Sequence, residues 1–232
     1  MLAEKVKHGY IFGCTEAEGT DQKRLVDYTL FAEQLRPSTS IKSIKIWFGA
    51  PKGESEIKSL LGMSATYINY ITGEKKETNY QGAPIEGTDV QTDELIVKEG
   101  DYLSKFNLGF DKYINHIKFT TFKGEKIELG EVKDETEKKT VNQLNEGNNI
   151  ILNIKGYSSP GGIRAIGYDF MSLKDFYFIR CIDLFRIRLK LKDAKYKTEC
   201  QNKYDKMNEI EKYFFRICSL PKVCFAAIIK YA

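Results

Sequence analysis

Arg186, Arg188, Lys190 and Lys192 alternate with Phe185, Ile187, Leu189 and Leu191 in the stretch FRIRLKLK. Cations on one face of an extended strand could meet successive phosphates, and Phe176, Tyr177 and Phe178 lie upstream, where rings could stack on bases. The same alternation also keeps an edge strand from pairing with another chain, and nucleic acid is the weakest of the readings carried forward. Other chemistry is thinly represented. His8 and His116 are the only histidines, too few for a metal cluster, and His116 sits on the polar row of its strand as a surface histidine would. Cys14, Cys181, Cys200, Cys218 and Cys224 are odd in number and form no CxxC pair, which is neither a disulfide framework nor a zinc site. The sequence carries no phosphate-binding loop, nucleophile elbow, HExxH or paired-carboxylate signature. The expectation is a protein that is not an enzyme and uses no cofactor or metal.

The elements that would position these residues fall into two textures. From residue 41 to 170 short alternating runs recur, with glycine at their ends. Ile41 to Gly49 places Ile44, Ile46 and Phe48 on one face and Trp47 on the other. Trp47 then enters a second packing layer or a binding surface, and core use is the commoner fate of tryptophan. Ile117, Phe119 and Thr121 form one row of the next clear strand, Ile114 extends its apolar side at the entry, and Lys123-Gly124-Glu125 turns it into Lys126 to Leu129. Asn149 to Lys155 and Ile163 to Phe170 flank a compact loop, GYSSPGG. Three segments, IKSIKIWFG, INHIKFTTFKG and NNIILNIKG, echo one another, each polar-led and followed by glycine, as a fold of three similar sheets would leave. Residues 1–40 are hard to read beyond a short strand and Gly-rich turn in GYIFGCTEAEGT, and Glu131 to Lys139 reads as an exposed charged loop.

Residues 171–232 differ. Fourteen cations against seven carboxylates give them +7, and the chain's net +4 leaves −3 on residues 1–170. FRIRLKLK reads as a strand, and Ala194 to Cys218 as one amphipathic helix. Its seam is Tyr196, Cys200, Met207, Ile210, Phe214 and Ile217, interrupted by Lys203 and stopped by Ser219 and Pro221. Val223 to Tyr231 is an apolar terminus that needs a partner surface. The start, MLAEKVKHGY, lacks the apolar core of a signal peptide, and no run approaches the ~20 apolar residues of a membrane span. The expected setting is reduced and cytoplasmic, or otherwise intracellular.

Over residues 41–170 the chain resembles the jacalin-related lectins. The likeness is carried by Glu99-Gly100-Asp101-Tyr102-Leu103, Phe106 and Gly109. It continues through Ile114, Ile117, Phe119, Thr121 and Gly124, then Ile151, Ile154, Gly156, Ser158 and Ser159, and finally Ile163-Arg164-Ala165-Ile166-Gly167. Most are turn and core positions, so they speak for fold before function. The resemblance implies a mainly β protein: a jacalin-like β-prism of three antiparallel sheets over residues 1–170. The basic strand-plus-helix extension of residues 171–232 lies outside it. It also implies a sugar site at one end of the prism, in which a loop aspartate accepts bonds from two adjacent sugar hydroxyls. Here the aspartate position falls on Arg164 and the glycine four residues earlier on Pro160, and no acidic residue lies between Gly156 and Gly167. A five-donor cation cannot reproduce an acceptor.

Two functions follow as expectations. In the first, a recognition module with a degraded sugar site serves as a scaffold. Its tail surface (Arg186, Arg188, Lys190, Lys192, Met207, Ile210, Phe214 and Ile217) docks it by protein–protein interaction into a larger assembly. In the second, a lectin binds mannose- or galactose-type glycans through a modified loop of Ser158, Ser159, Gly161, Gly162, Ile163 and Arg164.

Overall fold

The computed structural model describes residues 6–13, 23–24, 39–50, 58–69, 73–85, 89–130, 148–206 and 209–220, and of residues 10, 23, 24, 206, 209–211, 213 and 214 the backbone alone. Three antiparallel sheets surround one core. The first has the order β1 (Lys7–Gly13), β12 (Gly162–Ser172), β11 (Asn149–Ser159), β2 (Lys23–Arg24). The second is β10 (Lys126–Gly130), β9 (Ile114–Thr121), β8 (Leu103–Phe110). The third is β5 (Lys75–Glu77), β4 (Ser59–Asn69), β3 (Thr39–Gly49), β7 (Gln91–Ile96), with β6 (Gln81–Gly82) also on β4. This is the three-sheet β-prism. The three echoing segments become β3, β9 and β11, one in each sheet, although Gly156 lies inside β11 and not at its end.

The period-two rows point inward as expected. Ile44, Ile46 and Phe48 of β3, Ile117 and Phe119 of β9, and Ile154 of β11 share a single buried cluster. Phe106 joins the sheets: its ring lies 6.0 Å from Phe119 and 5.1 Å, edge-on, from Tyr168. Each such side chain contributes about 1.5–3 kcal/mol by leaving water. Trp47 packs in an outer layer, half-buried, edge-on to Tyr80 at 4.9 Å with the Lys45 ammonium 5.2 Å from its ring. Gly62 makes room for that Tyr80 ring, which any Cβ there would overlap.

The expected strand FRIRLKLK is corrected to helix: Leu173–Lys190 forms α1. The cause lies upstream. Ser172 Oγ accepts from Asp175 N at 3.0 Å and starts the helix, and its spacing then turns Phe176, Ile179 and Leu184 inward. Phe185 and Leu189, an inward row for a strand, are instead 54% and 49% exposed. Inward-facing Phe176 and Ile179 meet Ile150, Leu152, Met171 and Tyr102 on the outside of the first sheet, and Arg180 Nη1 donates to Tyr102 Oη at 2.7 Å. The single helix over Ala194 to Cys218 is also corrected. It is broken into α2 (Ala194–Asn202), a 3-10 turn (Tyr204–Lys206) and α3 (Glu209–Ser219). Lys203, the residue that interrupts the seam, is the C-cap of α2. Among the described residues no helix is long and apolar enough to cross a membrane. The turn of residues 14–20, the segment 25–35, the turn 51–55, the charged run 131–139 and the apolar terminus 223–231 lie outside the described residues.

Candidate functional site: the β11–β12 hairpin and the tail surface

The expected GYSSPGG loop is mostly strand. β11 runs on to Ser159, which pairs with Gly162, so only Pro160 and Gly161 turn the chain. Gly162 holds φ +139, a conformation that other residues rarely adopt, and this permits so tight a turn. The tip is bedded into its surroundings. A Cβ on Gly161 would overlap the Tyr113 ring, and one on Gly162 would come within 2.9 Å of the Leu60 carbonyl oxygen. Ser158 is buried between Ile163 and the β2 backbone, and Ile163 itself is fully buried in the core. Ser159 and Arg164 are half-buried and Pro160 is exposed, with Ser159 Oγ shut off from solvent and without a hydrogen-bond partner. At its near edge β1 ends on Gly13, where a Cβ would overlap the Arg164 carbonyl.

The hairpin thus offers one guanidinium, two hydroxyls that are buried or shut off from solvent, and no carboxylate. The next carboxylate along β12 is Asp169, five residues or about 17 Å further on. It is fully buried and already engaged: Oδ1 lies 2.7 Å from Lys155 Nζ and 2.6 Å from His8 Nδ1, and Oδ2 accepts from Asn153 Nδ2 at 3.1 Å. Asn153 Oδ1 in turn accepts from Tyr67 Oη at 2.7 Å. Burial, with a smaller push from the Asp169 charge, holds the Tyr67 phenol well above its ordinary pKa. Sequence reading missed this chain of contacts. The available signal was a carboxylate and an amide inside otherwise apolar strands, at Asp169 and Asn153. His116 was misjudged too: it is buried, with Nε2 3.1 Å from Glu128 Oε1, whose other oxygen meets Lys118 Nζ at 2.7 Å.

Of the eight tail residues, the five whose side chains are described divide between exposed and inward positions. Arg186 is exposed near Asp183, and Lys190 and Lys192 are exposed at the end of α1. Arg188 turns inward and donates to the carbonyls of Cys218 at 3.0 Å and Leu220 at 2.5 Å, closing the end of α3. Ile217 is buried with Leu184, Leu191 and Cys218. Met207 and the side chains of Ile210 and Phe214 lie outside the described residues. The helix thus keeps Arg186 and Lys190 on one exposed face, four residues apart, and turns Arg188 away from it. Phe178 at 59%, Phe185 and Leu189 are the large apolar side chains that α1 exposes. Among the described residues no group of three or more His, Cys, Asp or Glu side chains could hold a metal ion.

No family model and no curated protein matches the chain. Solved structures that it is similar to include artocarpin complexed with Me-α-mannose, 15% identical, covering 71% of this chain and 99% of that one with a TM-score of 0.48. A prostate-specific WGA16 glycoprotein lectin is 15% identical over 69% of this chain and 97% of its own, with a TM-score of 0.46. A mannose-binding jacalin-related lectin from Ananas comosus is 12% identical, covers 72% and 99%, and has a TM-score of 0.41. A likeness this distant transfers no ligand to the present chain, and the architecture stands on the three sheets themselves.

Proposed function

We propose that this protein is a non-catalytic, jacalin-like recognition module whose hairpin sugar site is degraded, and that it acts as an intracellular scaffold. The observation that carries the reading is the β11–β12 hairpin. Arg164 stands where the resemblance places a carboxylate, no acidic residue lies in the turn, and Ser158 and Ile163 are packed away inside the prism. A carboxylate accepts from two adjacent sugar hydroxyls at once, a role that a guanidinium cannot take and for which the Ser158 side chain and Ser159 Oγ are not exposed. Partner contact falls to the tail, through the apolar side chains that α1 exposes and the neighbouring Arg186.

Titrating Arg164→Asp with free mannose and galactose tests the hairpin. Because the tip is bedded on Tyr113 and Leu60, restoring the carboxylate is expected to restore no binding. Saturable binding by that variant would mean that a single charge had disabled an otherwise intact site. Proximity labelling with the full chain and with a Phe178→Ser/Leu189→Ser variant tests the tail. Partners are expected to be labelled by the first and lost from the second, and an unchanged set would overturn the tail's role.

A further inference from the structure

Four apolar side chains of α1 fall on one line along its outer side. Phe178, Ile182, Phe185 and Leu189 follow one another at steps of four, three and four. At about 100° per residue they span an arc of only about 60°, and from first to last they cover about 16 Å of helix axis. Phe178, Phe185 and Leu189 are exposed, and Ile182 between them is half-buried. The other side of α1 carries Phe176, Ile179 and Leu184, which pack it against the first sheet and the end of α3. The inner row docks the helix, so the outer row is not needed to hold α1 in place.

Spacing and charge narrow what this outer row fits. A helix that lies on a lipid surface presents a broad apolar face, whereas a narrow seam stepping by three and four is what a second helix fills, knobs into holes. Arg186 follows Phe185 at the edge of the seam, and Lys190 stands exposed one turn on along the same side. The helix holds two acids of its own. Asp175 is engaged with the Ser172 cap at 2.8 Å, and Asp183 lies 3.4 Å from Arg186. A second copy of α1 therefore brings no further acid to meet these cations.

We propose that the outer seam of α1 docks an amphipathic helix of a partner protein, one that carries leucine-like side chains at heptad spacing and Asp or Glu along the edge facing Arg186 and Lys190. This gives a chemistry to the partner contact assigned to the tail above, and it rests on that assignment. Phe178, Phe185 and Leu189 leave water in the interface and supply the affinity, while the two cations select an acidic partner and fix its orientation.

The test uses the full chain and two fluorescent three-heptad peptides with leucine at both seam positions, one with glutamate and one with lysine at the flanking positions. Anisotropy titration is expected to show saturable binding of the acidic peptide, about fivefold tighter than the basic one at low salt and by less at moderate salt. Phe178→Ser/Leu189→Ser should weaken the acidic peptide about tenfold or more and leave the melting temperature unchanged, since both side chains lie off the docked face. Arg186→Glu/Lys190→Glu should reverse the preference, and Lys75→Glu/Lys76→Glu, the same change of charge on β5, should not. The proposal is overturned if folded protein binds neither peptide or both alike, or if the charge reversal on α1 leaves the preference unchanged. It is equally overturned if the seam serves dimerisation in sedimentation equilibrium or binding to phosphatidylserine vesicles, either one lost in Phe178→Ser/Leu189→Ser. Tail-dependent proximity labelling without a preference for the acidic peptide would keep the tail as a partner surface and refute its acidic partner. Failure of both would refute the tail's role itself.

Discussion

Asp169 is the residue on which most polar structure converges. A fully buried carboxylate is tolerable only where donors surround it, and here Lys155, Asn153 and His8 do so from two neighbouring strands. Asp169→Ala strands the Lys155 ammonium, and the expected loss in urea denaturation is about 3–5 kcal/mol. His8 has a side chain 60% exposed, so His8→Ala should cost below about 1 kcal/mol in the same assay. A comparable loss in both variants would contradict the assignment of roles. Glu128 is a second, weaker case. Its hydrogen bond to Lys118 first, then the one to His116, lowers its pKa against the opposing effect of burial. A depressed carboxylate pKa adds stability above the unfolded value of about 4.3 and loses it as pH falls through the folded value. The melting-temperature difference between the native chain and Glu128→Gln should therefore be present at neutral pH and vanish in acid. Its side chain is 41% exposed, which keeps the effect small.

Among the elements, α1 shows where sequence reading gave way. FRIRLKLK satisfies period two as well as any strand in the chain, yet Ser172 and Asp175 start a helix that runs straight through it. Local alternation lost to a cap thirteen residues upstream and to the inward pull of Phe176 and Ile179. Strands such as β9 and β10 were legible because one face is the more buried, so composition alternates with geometry, whereas β4, β11 and β12 bury both faces over part of their length. Their turns were less so: GYSSPGG looks like a loop, but two residues suffice to reverse it. Buried polar partners were not legible at all, since Asp169, His8 and Tyr67 are brought together by sheet topology and lie far apart in sequence. The tail offers its own test. Cys218 is buried beneath Arg188, and burial pushes its thiol up to about 11 despite the opposing Arg188 charge. At pH 8 only about one such thiol in a thousand is ionised. Cys218 is expected to resist alkylation in the native protein and to react once Arg188→Met frees the end of α3, as peptide mapping would show. Rapid labelling of the native protein would mean that α3 is not docked on α1.

At the scale of the molecule, three sheets hold one another in place through a shared core, with Phe106 at the point where two of them meet. Phe106→Ala should cost about 3–5 kcal/mol and lower the melting of all three sheets together, a single transition by every probe. Such a prism is a rigid frame that presents its ends, and the β11–β12 end presents a guanidinium and no carboxylate. That end is not expected to hold sugar as a sugar-binding loop does. Binding of the full chain to a broad glycan panel, at low and moderate salt, tests this most directly. No saturable binding that depends on Ser158, Ser159 or Arg164 is expected. Saturable binding to a mannose- or galactose-type glycan, competed by the free monosaccharide and abolished by Arg164→Ala, would contradict it.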